Sequence, residues 1–111
     1  MATSSPLFID AGSNYVNIIS AVDTINQPLI LTGYTVKSQI RKSPTSTTFY
    51  NFTATIYNDT LGQIKLELTA VQTAAIASGR WLYDVEITSP SSIKTRVIEG
   101  IVTITPQITQ T

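Results

Sequence analysis

The sequence predicts an all-β fold, an antiparallel sandwich or barrel with one short helix, and three observations lead to this prediction. Apolar residues recur with a period of two along most of the chain, as in strands with one buried face. β-branched residues are abundant, with 15 Ile, 7 Val and 18 Thr among 111 residues. Short polar turns separate the apolar runs, which is typical of sandwiches and barrels.

The strands are predicted from these runs. In chain order the runs are 14–22, 29–32, 34–41, 49–57, 64–68, 80–88, 92–99 and 101–105. Alternation is clearest in 80–88, where Trp81, Tyr83 and Val85 point to one side and Asp84 and Glu86 to the other. We therefore expect the two aromatic side chains in the core and the two carboxylates on the surface.

Two hairpins are predicted with registers that satisfy both faces of each strand. Around the turn at 58–62, Ile56 is expected opposite Ile64, Ala54 opposite Leu66 and Phe52 opposite Leu68. Around 89–91 the expected pairs are Ile87 with Ile93, Val85 with Thr95, Tyr83 with Val97, Glu86 with Lys94 and Asp84 with Arg96. A slip of one residue would move every apolar side chain to the wrong face.

One segment departs from the period of two and predicts a helix over about 70–77. Thr69 and Gln72 have the spacing of a capping box, in which each side chain accepts a hydrogen bond from the other residue's backbone amide. The following residues are mostly good helix formers, and Gly79 stands where a left-handed residue would end the helix.

The composition predicts one domain over residues 1–111, with an N-terminal arm at 1–7 and a C-terminal arm at 106–111. These ends contain few core-forming residues, and we expect residues 2–8 and 105–111 to reach onto neighbouring subunits. No apolar run approaches the roughly 18 residues of a membrane helix, so no membrane association is expected. Seven basic residues balance seven acidic ones, which argues against a nucleic-acid partner.

The absence of His and Cys from the sequence removes the usual nucleophiles, bases and zinc ligands, so we expect no catalytic residue, cofactor or metal. Charged residues make up 13% of the chain, against about 25% in an ordinary domain. Ser and Thr dominate the polar surface instead. Such a surface loses little free energy when a partner covers it, because few ions must be desolvated.

Four groups of residues could form catalytic or binding sites, and each has a simpler structural interpretation. Asp84 and Glu86 lie near the spacing of a glycosidase pair, but cross-strand ion pairs are expected to engage both. Asp59 lacks the spacing of a calcium loop and fits a hairpin turn. The basic residues Lys37, Arg41 and Lys42 are interpreted as a solvated strand end, with an acidic partner surface as the alternative.

The fourth group, Trp81 and Tyr83, could form the aromatic platform of a sugar-binding module. Because both residues fall on the expected inner face of their strand, we interpret them as core residues. A carbohydrate-binding host-recognition module remains the alternative function.

Several segments together resemble a known group of proteins. They are 28–35 (Pro-Leu-Ile-Leu-Thr-Gly-Tyr-Thr), 40–42, 64–69 after Gly62, Gln72-Thr73, 79–85 (Gly-Arg-Trp-Leu-Tyr-Asp-Val) and 96–104. Their order over residues 8–105 resembles small immunoglobulin-like β-sandwich proteins of tailed bacteriophages. That group includes the N-terminal domain of phage baseplate upper proteins and related cyanophage virion proteins.

The resemblance implies an immunoglobulin-like sandwich and a structural role in the virion, with no catalytic residue to carry over. The expected function is that of a tail or baseplate component, or of a capsid decoration protein. The expected partners are other virion proteins and further copies of the same chain, since virion proteins assemble with symmetry.

Overall fold

The computed structural model describes residues 3–23, 25 and 27–106. They form two facing β-sheets around one buried apolar cluster, which confirms the all-β sandwich. The strands are β1 (Thr3–Ser4), β2 (Leu7–Asp10), β3 (Tyr15–Ser20), β4 (Thr35–Arg41), β5 (Phe49–Asn51), β6 (Thr53–Asn58), β7 (Gln63–Leu68), β8 (Gly79–Thr88) and β9 (Lys94–Thr105). One helix, α1 (Ala70–Ala75), connects β7 to β8.

The larger sheet has six strands in the order β1-β9-β8-β4-β5, with β2 also paired to β9, and the smaller has the order β3-β7-β6. The larger sheet is mixed rather than antiparallel as expected, because β1 and β2 run parallel to β9. Thr3 lies opposite Ile98 and Leu7 opposite Val102, so one register continues across the break at Ser5 and Pro6.

The arm expected at 1–7 is, in its described part, a segment of the larger sheet, and its contact with a neighbouring subunit stays a prediction. From Thr3 onwards this segment pairs with β9 of its own chain, and Leu7 and Ile9 are buried in the core. Each provides an aliphatic side chain that gains free energy by leaving water. Of the C-terminal arm expected at 106–111, residues 107–111 lie outside the described residues.

A backbone carbonyl locks the N-terminal segment to the sheet. The Tyr83 hydroxyl donates a hydrogen bond to the Ser5 carbonyl, and the Ser5 amide donates to the Glu99 carbonyl at 2.9 Å. The carbonyl fits because Gly100 has no side chain: a Cβ there would stand 2.5 Å from the Ser5 oxygen. Burial raises the pKa of Tyr83, and the hydrogen bond to Ser5 opposes that rise.

The run 49–57, predicted as one strand, is two strands in different sheets. β5 pairs with β4 in the larger sheet, and β6 pairs with β7 in the smaller. Phe52 stands between them with its side chain buried and its amide donating to the Ser38 carbonyl at 3.0 Å. Alternation cannot reveal such a crossing, because the inner faces of both sheets contribute to the same core.

The β6–β7 hairpin confirms the predicted pairs Ile56 with Ile64 and Ala54 with Leu66, but Phe52 and Leu68 do not pair, because β6 begins at Thr53. The register predicted for β8 and β9 is wrong. The observed pairs are Ile87 with Thr95, Val85 with Ile98, Tyr83 with Gly100, Glu86 with Arg96 and Asp84 with Glu99.

Two features of the chain shift this register. The turn is longer than expected, because the Ser89 amide donates to the Ile93 carbonyl at 2.9 Å and Ser92 takes a positive φ of 69°. A bulge then leaves Val97 without a directly opposed residue, so that Val97 and Ile98 are both buried.

Residues 29–32, predicted as a strand, form no strand. Pro28 has no amide hydrogen for a ladder, and Leu31 instead donates to the Asp59 carbonyl at 2.8 Å while its side chain is buried.

The predicted capping box of α1 is confirmed, with Thr69 and Gln72 accepting from each other's amides. The helix ends at Ala75, two residues before the predicted end. Gly79 does not cap it but begins β8 with a φ of 124°.

Replacing Trp81 with Ala tests the core. The indole is 6% exposed, meets the Tyr50 ring edge-on at 5.6 Å and donates to the Ala77 carbonyl at 2.9 Å. We expect Trp81→Ala to lower the free energy of unfolding by about 3–5 kcal/mol in urea titrations, because the cavity cannot refill. The control Val71→Ala changes a side chain that is 81% exposed and should shift stability by less than about 0.5 kcal/mol. Equal effects of the two would contradict a buried Trp81.

Replacing Gly100 with Ala tests the lock at Ser5. The added methyl group would collide with the Ser5 carbonyl, so we expect a loss of about 1–3 kcal/mol in unfolding free energy. Hydrogen exchange of the Ser5 amide should accelerate more than that of the β6–β7 hairpin amides, because the collision separates β1 from β9 and does not touch the hairpin. A variant with unchanged exchange at Ser5 would show that the N-terminal segment is held by other contacts.

Candidate functional site

The outward-pointing side chains of β9, β8, β4 and β5 form ordered rows across the larger sheet, and we call this surface the outer face. The first two rows contain one residue from each of the four strands, and the third contains one from β9, β8 and β4, all in direct cross-strand register. The first row is Ile101, Leu82, Arg41 and Phe49; the second is Glu99, Asp84, Gln39 and Asn51; the third is Arg96, Glu86 and Lys37. The first row is mainly apolar, and the other two are polar or charged.

The apolar row is partly open to solvent. Ile101 is 44% exposed, Leu82 37% and Phe49 42%, although all three lie in regular strands. Arg41 completes the row by placing its guanidinium carbon 4.5 Å from the centre of the Phe49 ring. The row therefore presents three partly exposed apolar side chains, with the Arg41 guanidinium over the ring of one of them.

Two of the five N–H donors of Arg41 are used inside the chain. Its Nη1 donates to the Ser46 carbonyl at 2.5 Å, and its Nη2 donates to the Gln39 side chain at 2.9 Å. These bonds hold the guanidinium at the rim of an open depression of about 630 Å³. Leu82, Asp84 and Arg96 also line the depression.

Charges beside the depression compensate one another. Arg96 contacts Asp84 with Nε at 3.2 Å from the carboxylate and Glu99 with Nη1 at 3.3 Å, so one guanidinium bridges two carboxylates. Burial raises the pKa of the Asp84 carboxyl, and nearby Glu86 adds to the rise, whereas Arg96 and Arg41 oppose it. Desolvation therefore outweighs the attraction of Arg96 at this position.

The predicted Asp84–Arg96 ion pair is present, but it spans the bulge rather than a direct pair. The predicted Glu86–Lys94 pair is not among the ion pairs of the described residues. Glu86 instead lies opposite Arg96 on one side and Lys37 on the other. Asp84 and Glu86 thus belong to a surface of alternating charge, as their structural interpretation predicts.

Trp81 and Tyr83 do not form an exposed platform. They are 6% and 4% exposed and pack against Tyr50 and Phe52, which confirms that they are core residues. The ligand-stacking alternative for this pair is contradicted by their burial.

The three basic residues do not gather at one strand end. Lys37 lies on the outer face two rows away from Arg41. Lys42 points away from both: its Nζ donates to the Arg80 carbonyl at 2.8 Å and stands 5.1 Å from the Trp81 ring centre.

Asp59 lies in the β6–β7 turn, as predicted, and accepts a hydrogen bond from the Thr32 hydroxyl at 3.1 Å.

Sequence reasoning missed the apolar row because its members come from four strands that are distant along the chain. Leu82 and Ile101 each occupy a polar position of an alternating run, and that mismatch is the one signal the sequence offers. Phe49 gives no such signal, since the crossing at Phe52 hides which sheet it belongs to.

No protein-family profile matches this sequence, and the curated proteins include no significant match. Among residues 3–23, 25 and 27–106, no helix has the length and hydropathy needed to cross a membrane.

The pH dependence of stability tests whether desolvation of Asp84 outweighs its attraction to Arg96. Its folded-state pKa is raised above the ordinary 3.8, so folding favours the protonated form. The stability contributed by this group is therefore present below about pH 3.8 and is lost as pH rises through the folded pKa. We expect the free energy of unfolding of Asp84→Asn, relative to that of the wild type, to rise from roughly pH 3 to pH 7. Urea unfolding at a series of pH values across this range measures the difference. Arg96 keeps Glu99 as a partner in this variant.

The matched control is Glu67→Gln, which removes a surface carboxylate of the smaller sheet. It should not reproduce the rise of relative stability with pH seen for Asp84→Asn. A fall in the relative stability of Asp84→Asn as pH rises would mean that attraction to Arg96 dominates after all.

Proposed function

We propose that this chain is a non-enzymatic structural protein of a tailed-bacteriophage virion, a tail or baseplate component or a capsid decoration protein. It docks onto other virion proteins through the outer face and also associates with copies of itself. The apolar row Ile101, Leu82, Arg41 and Phe49 is the observation that carries this proposal.

The outer face has the physical properties of a docking surface. Its centre is apolar and partly exposed, so covering it gains hydrophobic free energy, and its rim is polar. Regular strands fix the positions of all four side chains before a partner arrives. A surface that is already ordered loses little conformational entropy on binding.

The charges on the outer face are compatible with burial against a protein partner. The rows of the outer face contain three carboxylates and three cations, so a partner that covers them need not supply a neutralising cation; they are Asp84, Glu86, Glu99, Lys37, Arg41 and Arg96. The low proportion of charged residues extends this property to the whole surface, because a hydroxyl is desolvated at lower cost than an ion.

Support for an immunoglobulin-like assignment comes from the strand order. If β3 to β9 are lettered B, C, C′, D, E, F and G, the smaller sheet reads B-E-D and the larger G-F-C-C′. Apart from the missing C″ strand, this order is shared with the variable-type immunoglobulin sandwich. The phage setting is supported by the resemblance over residues 8–105, and fold alone does not specify it.

The alternative function, a carbohydrate-binding host-recognition module, needs an exposed aromatic platform. The two residues that the sequence offered for that platform, Trp81 and Tyr83, are buried. The described surface therefore favours protein docking over sugar stacking.

Purified particles of the phage that encodes this chain provide the test. Quantitative mass spectrometry should find the chain in the particles, in a copy number that is a multiple of the capsid or tail symmetry. Particles assembled with Leu82→Asp should contain at least tenfold less of it, because the carboxylate would be buried in the apolar row. Circular dichroism and thermal unfolding of purified Leu82→Asp check that it folds.

The control is Val71→Asp, which places the same charge on exposed α1 and should be incorporated like the wild type. Absence of the wild-type chain from the particles would refute the virion proposal. Normal incorporation of a folded Leu82→Asp would show that docking uses another surface.

A further inference from the structure

We propose that β3 pairs antiparallel with β3 of a second copy across a twofold axis, which joins two smaller sheets into one six-stranded sheet. This inference names a surface for the self-association included in the proposed function. It depends neither on the virion setting nor on the outer face, and its test uses the purified chain alone.

The open edge of β3 has hydrogen-bonding groups available. β3 pairs only with β7, and no strand among residues 3–23, 25 and 27–106 lies on its other side. The Ala21 amide continues the β3–β7 ladder by donating to the Gly62 carbonyl at 2.8 Å. Because backbone groups alternate in direction along a strand, those of Tyr15, Asn17 and Ile19 also face β7. The backbone groups of Val16, Ile18 and Ser20 therefore face the open edge.

The other edges of the two sheets are protected. β5 has only three residues, and β6 carries an irregularity between Ile56 and Asn58. The N-terminal edge strand is interrupted at Ser5 and Pro6. β3, by contrast, has six residues in regular register and contains no charged residue, Pro or Gly. An edge of this kind, without any of the usual protective features, readily accepts another strand.

The side chains beside the open edge are apolar. Val16 is 60% exposed and Ile18 41%, and both point outward from the sandwich. In register beside them on β7 lie Glu67 and Lys65, which form an ion pair of 2.7 Å. A partner strand would cover both apolar side chains without stripping water from an unpaired charge.

Self-complementarity identifies a second copy as the occupant. The available groups belong to even-numbered residues, so hydrogen-bonded pairs must join even residues of both copies. A twofold axis at Asn17 places Val16 opposite Ile18 of the second copy, and Ile18 opposite its Val16. Each row then runs from Glu67 through two apolar residues to Lys65 of the second copy, with opposite charges at its ends. The zero net charge of the chain adds no repulsion between copies.

Analytical ultracentrifugation of the wild-type chain, at concentrations up to roughly 1 mM, should show the mass rising from 12.1 kDa toward twice that value. Ile18→Lys should weaken this association at least 100-fold, because an ammonium group would enter the apolar row beside Lys65. Val71→Lys, which changes exposed α1, should associate like the wild type.

A cysteine variant tests the register independently and does not rely on a charged substitution. At a twofold axis on Asn17 the two copies form a non-hydrogen-bonded pair with Cα atoms about 4.5 Å apart, which a disulfide can span. The chain has no Cys of its own, so Asn17→Cys should give a disulfide-linked dimer on oxidation, whereas Val71→Cys should not. A wild type that stays monomeric at all concentrations overturns the proposal, as does a folded Ile18→Lys that dimerises normally. Neither result would affect incorporation of the chain into particles through the outer face.

Discussion

The parallel pairing of residues 3–10 with β9 is the interaction on which the rest of this structure depends. It adds Leu7 and Ile9 to the core and fixes the last strand along its length. Its register is set by one close approach, the Ser5 carbonyl against Gly100 beneath the Tyr83 hydroxyl. Since β9 pairs in turn with β8, the N-terminal segment extends the same sheet that carries the outer face.

The same pairing determines which sheet edge stays open. β2 is joined to β3 by the turn at 11–14, so the chain passes directly from the edge of one sheet to the edge of the other. A single N-terminal segment can cover only one of these edges. Because it covers β9, the backbone groups of Val16 and Ile18 are left without partners from the described chain. The turn is itself anchored by buried Thr73, whose hydroxyl accepts from the Gly12 amide and donates to the Ser13 carbonyl.

The parts of the fold that the sequence could predict are those decided by neighbours in the chain. Alternation places Tyr83 and Val85 inside, and residue types alone identify the capping box of Thr69 and Gln72. The parallel N-terminal strand and the β8–β9 register depend on contacts between distant residues, which a local period does not encode. The bulge at Val97 is visible in the sequence as two adjacent apolar residues in an alternating strand. The apolar row of the outer face could not be predicted without knowing the order of the strands in the sheet.

The chemistry of Arg41 narrows what the outer face can recognise. A free guanidinium selects carboxylates or phosphates, because its five donors match two acceptor oxygens in a plane. Here Ser46 and Gln39 each take one N–H from a terminal nitrogen, so two of the five donors are used, and the group lies over the Phe49 ring. The other three donors lie within a row whose remaining members, Ile101, Leu82 and Phe49, are apolar. A partner segment that combines apolar side chains with one acceptor group therefore fits this surface, and it would lie along the row that already contains Leu82 and Ile101.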